Sequence, residues 1–469
     1  MIQLRACAAL TALAVLTAAC SGSGTPLTPA GLHGGGAIGS DAISGKYIKH
    51  VVVIVQENRS FDNLFATFPG VDGATSGYYL KKTGGKYVKT QVALKQVPLA
   101  GALDINHASQ AYNDACDGKN TYPKTSCDMD GFNLEGIGGG LPAGTYPYQY
   151  VNPNDIKPYW QLAKQYAIAD HMFATQGSGS FTAHQDLIAG TTAIDSTDSV
   201  IDFPNNWINW GCGAAPSTVT SLLTTSGQYE HWGGPFPCFT YPTGTLRDLL
   251  DAKGVTWKYY APPYTNKTAG ALWNAFAAID AVYNGPEWNT NVSMPETNVL
   301  TDISAGNLPQ LSWVIPDQPD SDHPNGKNAP DDGPSWVAQV VDAVGTSKYW
   351  KSTAIVILWD DWGGFYDHEP PAFFDNMGGL GFRVPMIVVS PYVPANEIVH
   401  KQYEFGSILK FIETNFRLGS LGTTDARAAS ILNIFNFKQS ARSFKKIPSL
   451  RSRRYFLTRP ESTEPVDSE

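Results

Sequence analysis

The chain has 469 residues, 42% hydrophobic and 16% charged, which excludes a small disulfide knot or a disordered polymer and suffices for one large domain or two medium ones. Acidic residues outnumber basic ones 42 to 33, giving a formal charge of -9, so the overall electrostatics call for no nucleic-acid partner. With 45 Gly, 32 Pro and 12% aromatic residues, the composition is that of a loop-rich exported enzyme or binder rather than a helical bundle.

Arg5 precedes an apolar run from Ala8 to Leu16 that is too short to span a bilayer and ends in small residues, the pattern of a signal peptide over residues 1–19. Its end, Leu16-Thr17-Ala18-Ala19-Cys20, resembles a bacterial lipobox and implies cleavage before Cys20 and lipidation of its thiol; ordinary secretory cleavage nearby is the competing reading. Ser21 rather than Asp follows Cys20, which favours delivery to the outer membrane, with the protein facing the periplasm or the cell surface. Residues 20–45 are rich in Gly, Ser and Pro and read as a tether. With Cys7 removed and Cys20 acylated, Cys116, Cys127, Cys212 and Cys238 remain, and four cysteines allow three pairings. Sequence proximity favours Cys116 with Cys127 and Cys212 with Cys238. No Cys-x-x-Cys or His pair supports zinc in their place.

The folded body is expected over residues 46–437. Apolar runs at His50–Val55, Leu311–Ile315, Thr353–Trp359 and Val384–Val389 read as strands covered on both faces. Helical patterns lie between or after them, at Ser335–Val344 ending on Gly345 and at Phe405–Phe416. That order predicts a three-layer α/β/α sandwich with a mainly parallel central sheet. The segments Thr75–Trp160 and Asp195–Tyr241 are expected to form excursions over the sheet edge, where substrate loops sit. Residues 438–469 open with eight basic and no acidic residues through Arg459 and read as a basic, flexible tail; anionic headgroups are its sharper expected target.

Two strands end alike: His50–Val55 runs into Gln56-Glu57-Asn58-Arg59-Ser60-Phe61-Asp62, and Thr353–Trp359 runs into Asp360-Asp361-Trp362-Gly363-Gly364-Phe365-Tyr366-Asp367-His368. Carboxylates at strand C-termini occupy the ligand edge of an α/β sheet. If the strands are neighbours, Glu57, Asn58, Asp360 and Asp361 supply a hard-cation site suited to Ca²⁺, Mg²⁺ or Mn²⁺. Small residues lead to Ser180, after which a helix is expected until Gly190. A serine at a helix N-terminus faces unsatisfied N–H groups and the positive dipole end, which suits a nucleophile or simply a helix cap. His184 follows one turn later on the same face. His107, His323 and His368 lie in similarly polar, turn-rich settings and are candidates for general acid or phosphate binding. Arg59 suits either a phosphate clamp or a structural ion pair.

Glu57-Asn58-Arg59-Ser60-Phe61-Asp62 resembles the signature of the phosphoesterase superfamily of bacterial and plant non-specific phospholipases C and related bacterial acid phosphatases, and Asp104-x-x-His107, Asp322-His323-Pro324 and Asp360-x-x-Gly363-Gly364-Phe365-Tyr366-Asp367-His368 match its later motifs in order. The resemblance implies an alkaline-phosphatase-like fold, a divalent cation, expected to be Ca²⁺ or Mg²⁺, on Glu57, Asn58, Asp360 and Asp361, and a nucleophile at Ser180. Members often carry Glu-His where this chain has Asp361-Trp362. The expected function is phosphoric ester hydrolysis through a phosphoserine, of the phospholipase C kind, with phosphomonoester hydrolysis as alternative and a catalytically silent surface lipoprotein as the more remote one. A lipid anchor at Cys20 and the aromatic residues Trp207, Trp210, Trp232, Trp257, Tyr259, Tyr260 and Trp273 lean towards a phospholipid over a small soluble phosphoester.

Overall fold

Valine and isoleucine dominate His50–Gln56, and every residue of that strand after His50 is buried, as β-branched side chains packed on both faces of a sheet require. The computed structural model describes residues 45–119, 124–138, 140–324, 332–372 and 379–466; the expected signal peptide, Cys20 and all but the last residue of the expected tether lie outside them. Numbering only the strands of the central sheet, β1 is His50–Gln56, β2 Ala167–Ala169, β3 Trp257–Tyr260, β4 Val292–Ser293, β5 Leu311–Val314, β6 Thr353–Trp359, β7 Met386–Val389 and β8 Glu397–Val399. Their order is β4-β3-β5-β1-β6-β7-β2-β8. Only β7 runs antiparallel to its neighbours, β6 and β2. It begins after Pro385, which has no N–H to give to a ladder.

Two helical groups cover the sheet. Lys157–Gln165, Asn298–Ala305 and Gly333–Gly345 pack together, and Ser180–Ala189 packs with Leu246–Ala252 and Phe405–Phe416. The fold is therefore the expected α/β sandwich with a mainly parallel sheet. Phe405–Phe416 begins at a reciprocal capping box between Glu404 and Ser407, and Ser180–Ala189 stops at Gly190 in the left-handed conformation. Both expected disulfides are present, Cys116–Cys127 and Cys212–Cys238, each with Cα atoms 4.5 Å apart.

The basic C-terminal segment is not the flexible tail expected. Ile447 and Phe456 are buried, and Arg453–Thr458 is helical. Arg459 pairs with Asp320 at 2.8 Å and Asp317 at 3.2 Å, and Arg451 pairs with Asp332 at 2.8 Å. Its run of cations hid a docking strip because the complementary carboxylates lie more than a hundred residues earlier. Among the described residues, no helix is long and apolar enough to cross a membrane.

Candidate active site

β1 and β6 pair in parallel with Gln56 opposite Trp359, so Glu57-Asn58 and Asp360-Asp361 leave the same sheet edge side by side. All four side chains are fully buried. Asn58 has a positive φ of 58°, and its N–H donates to Asp360 Oδ1 at 3.0 Å, which joins the two strand ends. Gly363 explains part of the glycine pair after Asp361: φ is 61°, and a Cβ there would collide with the Asn58 carbonyl.

Ser180 is the first residue of its helix, with Gly179 as the extended N-cap, so it is not the capping residue. Its hydroxyl donates to Asp361 Oδ2 at 3.3 Å and accepts from Asn58 Nδ2 at 3.4 Å. His184, one turn on, meets Glu57 Oε1 at 2.9 Å and lies 3.7 Å from Asp360 Oδ2. The excursion after residue 75 delivers His107. Its Nδ1 donates to the Ile105 carbonyl at 2.6 Å, which leaves Nε2 to face Asn58 Nδ2 at 2.6 Å and Asp361 Oδ2 at 3.8 Å. His323 adjoins this group: its ring is 6.4 Å from His107, stacks on buried Trp273 at 5.4 Å, and has Nδ1 3.0 Å from the Pro324 carbonyl.

Asn58 Oδ1 and Asp360 Oδ2 are buried without a hydrogen-bond partner. Such oxygens are costly unless satisfied, and the ligand atoms of Glu57, His184 and Asp360 lie within 4.8 Å of one another. This oxygen-rich donor set fits a divalent cation.

Two expected site residues lie elsewhere. Arg59 is 1% exposed and commits its guanidinium to the Asp322 carbonyl at 2.9 Å, Asn63 Oδ1 at 3.3 Å and the Leu99 carbonyl at 3.4 Å, over the Phe365 ring. It braces motifs together rather than opening towards a phosphate. His368 sits between Asp62 at 2.7 Å and Asp72 at 3.2 Å, beside Arg383. Burial opposes its charge, but the Asp62 hydrogen bond and the charges of Asp62 and Asp367 lift its pKa to about 9. The aromatic signal also shrinks: Trp210, Trp257, Tyr259, Tyr260 and Trp273 are core residues, and only Trp207 and Trp232 are exposed.

Glu135 was not legible in the sequence. It is fully buried, accepts from the Trp362 indole N–H at 3.3 Å, and burial pushes its carboxyl well above the usual range. Trp362, in turn, lies 6.1 Å from the His107 ring. Beside His107, a cavity of about 380 Å³ is lined by Asn106, Asp202, Phe203, Tyr229, His231 and Trp232, among others.

Paired carboxylates on adjacent strand ends, facing a hydroxyl at a helix N-terminus, define an α/β protein with a site for a charged ligand at its sheet edge. The chain belongs to the Phosphoesterase family, whose model matches residues 48–419. It is 27% identical over 440 residues to a non-hemolytic phospholipase C of Burkholderia pseudomallei, covering 86% of this chain and 61% of that protein. A non-hemolytic phospholipase C of Pseudomonas aeruginosa is 25% identical over 84% of this chain and 58% of its own length. The chain thus spans less than two thirds of both relatives. Non-specific phospholipase C1 of Arabidopsis thaliana is 24% identical, covering 86% and 74% respectively. A solved structure of a protein in the alkaline phosphatase superfamily from Vibrio parahaemolyticus aligns over 83% of this chain and 72% of that chain with 11% identity and a TM-score of 0.34.

Proposed function

We propose that this protein hydrolyses phosphoric esters through a phosphoserine at Ser180, with phospholipids cleaved in the phospholipase C manner as its substrates. The observation that carries the reading is the Ser180 hydroxyl at the start of its helix, bonded to Asp361 and Asn58. Membership of the family and the names of the relatives support the substrate class.

Glu57, Asn58 through Oδ1, Asp360 and Asp361 would hold one divalent cation, Ca²⁺ or Mg²⁺ by their oxygen chemistry. Bound there, it supplies Lewis-acid charge that lowers the pKa of a nearby hydroxyl and offsets phosphoryl charge. Ser180 Oγ attacks phosphorus in line; its proton passes to Asp361 Oδ2, and the bond to the leaving oxygen breaks. The N–H groups of the first helical turn and Asn58 Nδ2 would receive phosphoryl oxygens. His107 has Nδ1 fixed by the Ile105 carbonyl, so its unprotonated Nε2, 3.8 Å from Asp361 Oδ2, takes up the Ser180 proton from Asp361 and delivers it to the leaving oxygen. Water then cleaves the phosphoserine and regenerates Ser180. His184 holds Glu57 in place, and His323 adds a polar wall beside His107. The Cys20 lipobox supports anchoring at a bacterial membrane, which would keep the site near lipid.

The test is hydrolysis of p-nitrophenyl phosphate, p-nitrophenyl phosphorylcholine and phosphatidylcholine vesicles by wild type and Ser180→Ala, with and without EDTA. Ser180→Ala is expected to lose at least about 10³-fold in kcat without a change in Tm. EDTA should abolish turnover, and the phosphorylcholine diester should be preferred to the monoester. Equal rates for wild type and Ser180→Ala would overturn the nucleophile assignment; preference for the monoester would replace the lipid substrate with a phosphomonoester.

A further inference from the structure

A second group of histidines and carboxylates gathers from four segments that the catalytic reading leaves unused. β2 and β8 pair in parallel with Ala169 opposite Val399, so their next residues, Asp170-His171 and His400, emerge together. Asp170 is fully buried and accepts from His171 Nδ1 at 2.9 Å and His400 Nδ1 at 2.7 Å. Asp62, also fully buried, accepts from His368 Nδ1 at 2.7 Å. The other ring nitrogens of two of these histidines converge on a single carboxylate: His171 Nε2 is 3.4 Å from Asp72 Oδ2, and His368 Nε2 is 3.2 Å from Asp72 Oδ1.

A carboxylate on one ring nitrogen with the opposite nitrogen presented to a common point is how proteins orient imidazoles for a metal. The separations, 3.4 and 3.2 Å to the two oxygens of Asp72, are close to the roughly 3.3–3.4 Å between ligands bonded at 2.0–2.1 Å in a tetrahedron. Charge agrees as well. Among the described residues, Asp62, Asp72, Asp170 and Asp367 meet one guanidinium here, Arg383, which bonds Asp367 at 2.8 Å and the carbonyls of Asp72 and Asp170 at 2.8 and 2.7 Å. Even with His368 cationic, four carboxylates against it and Arg383 leave the cluster with a net negative charge. Access is open, since Asp72 is 43% and His400 58% exposed.

We propose that Asp72, His171 and His368 form a second metal site, with His400 beside them, selective for Zn²⁺ or a similar first-row transition ion. Two imidazole nitrogens favour such ions over Ca²⁺ and Mg²⁺, which take oxygen ligands. A metal there would tie the loop after the helix Phe61–Phe65 to the edge of the sheet and to the end of the Gly363–His368 motif. It is a site separate in its ligands from the one containing Glu57 and Asp360.

The experiment uses the full chain carrying Asp360→Asn, which disables the catalytic cation site, after treatment with a chelator and its removal. Zn²⁺ is titrated by calorimetry at pH 8, and Co²⁺ by visible absorption. The expected result is one equivalent of Zn²⁺, with proton release, and Co²⁺ ligand-field bands of a low-coordinate nitrogen/oxygen site. Adding His171→Ala or, separately, Asp72→Asn should weaken Zn²⁺ binding at least tenfold and remove the Co²⁺ bands. Asp72 is a partly exposed loop side chain, so Asp72→Asn keeps the test valid should His171→Ala fail to fold. Absence of a Zn²⁺ equivalent in the Asp360→Asn protein, or unchanged binding in Asp72→Asn, would overturn the proposal and leave the cluster as a hydrogen-bonded brace only.

Discussion

Glu57 and Asn58 stand beside Ser180, whereas Ser60 and Asp62, two to five residues later in the same hexapeptide, bond the far end of the other signature motif. Ser60 Oγ donates to the Tyr366 carbonyl at 2.8 Å, and the Asp62 N–H donates to Asp367 Oδ2 at 3.1 Å. The later motif divides in the same way: Asp361 bonds Ser180 and Asp360 bonds the Asn58 N–H, while Asp367 and His368 join Asp62 and Arg383. Both regions bury several carboxylates. In the second, Arg383 is wholly buried and pairs with Asp367 at 2.8 Å and Asp62 at 3.5 Å. In the first, the charged partners described for Glu57 and Asp360 are imidazole, and oxygens of Asn58 and Asp360 stay without hydrogen bonds. Buried charge answered by a fixed guanidinium supports the fold; buried oxygen left open invites a ligand.

The sharpest way to break this contrast is to neutralise one carboxylate on each side. Asp360→Asn should lower kcat by at least about 10³-fold, because several kcal/mol of transition-state charge stabilisation depends on the cation site. Its Tm in EDTA should be unchanged or higher, since one of several crowded carboxylates has lost its charge. A lower Tm in EDTA would mean that Asp360 holds the structure together instead. Arg383→Met should do the reverse, costing about 3–5 kcal/mol in denaturant unfolding because Asp62 and Asp367 are left buried without their cation. Activity per folded molecule should survive; loss of turnover at full folding would assign Arg383 to catalysis.

The smallest effect concerns Glu135, between the two regions through Trp362. Burial raises its pKa well above the ordinary value of 4.5 despite the Trp362 hydrogen bond, so the folded state keeps a proton that the unfolded state loses. Stability should therefore fall as pH rises above about 4.5, and Glu135→Gln should flatten that fall while matching wild type to within about 0.5 kcal/mol near pH 5. Coincident Tm–pH slopes for the two proteins would show that Glu135 is ionised in the folded state.

Much of the site was legible because its residues lie where local pattern is strongest. Continuous apolar runs marked β1 and β6, and the carboxylates directly following them had to sit at a strand end. The residues Gly177 to Gly190 bounded the Ser180 helix to the residue. Arg59 read as a phosphate clamp or a structural ion pair, and His368 as catalytic, for the same local reason, polar groups next to those ends, but where their side chains go was decided by partners hundreds of residues away. Asp322, 263 residues from Arg59, and Asp62, 306 residues from His368, supply those partners.

Sequence alone determined the sheet's main strands and the grouping of Glu57, Asn58, Asp360, Asp361 and Ser180, because each follows from hydrophobic period or motif order; chain proximity favoured the two disulfide pairings, which the tertiary structure settled. Tertiary structure decided which histidines face Ser180, that the cationic C-terminal segment docks on Asp317, Asp320 and Asp332, and that most of the aromatic residues are core rather than lipid-facing. Those outcomes turn on burial and charge pairing between distant segments, and a linear pattern carries neither.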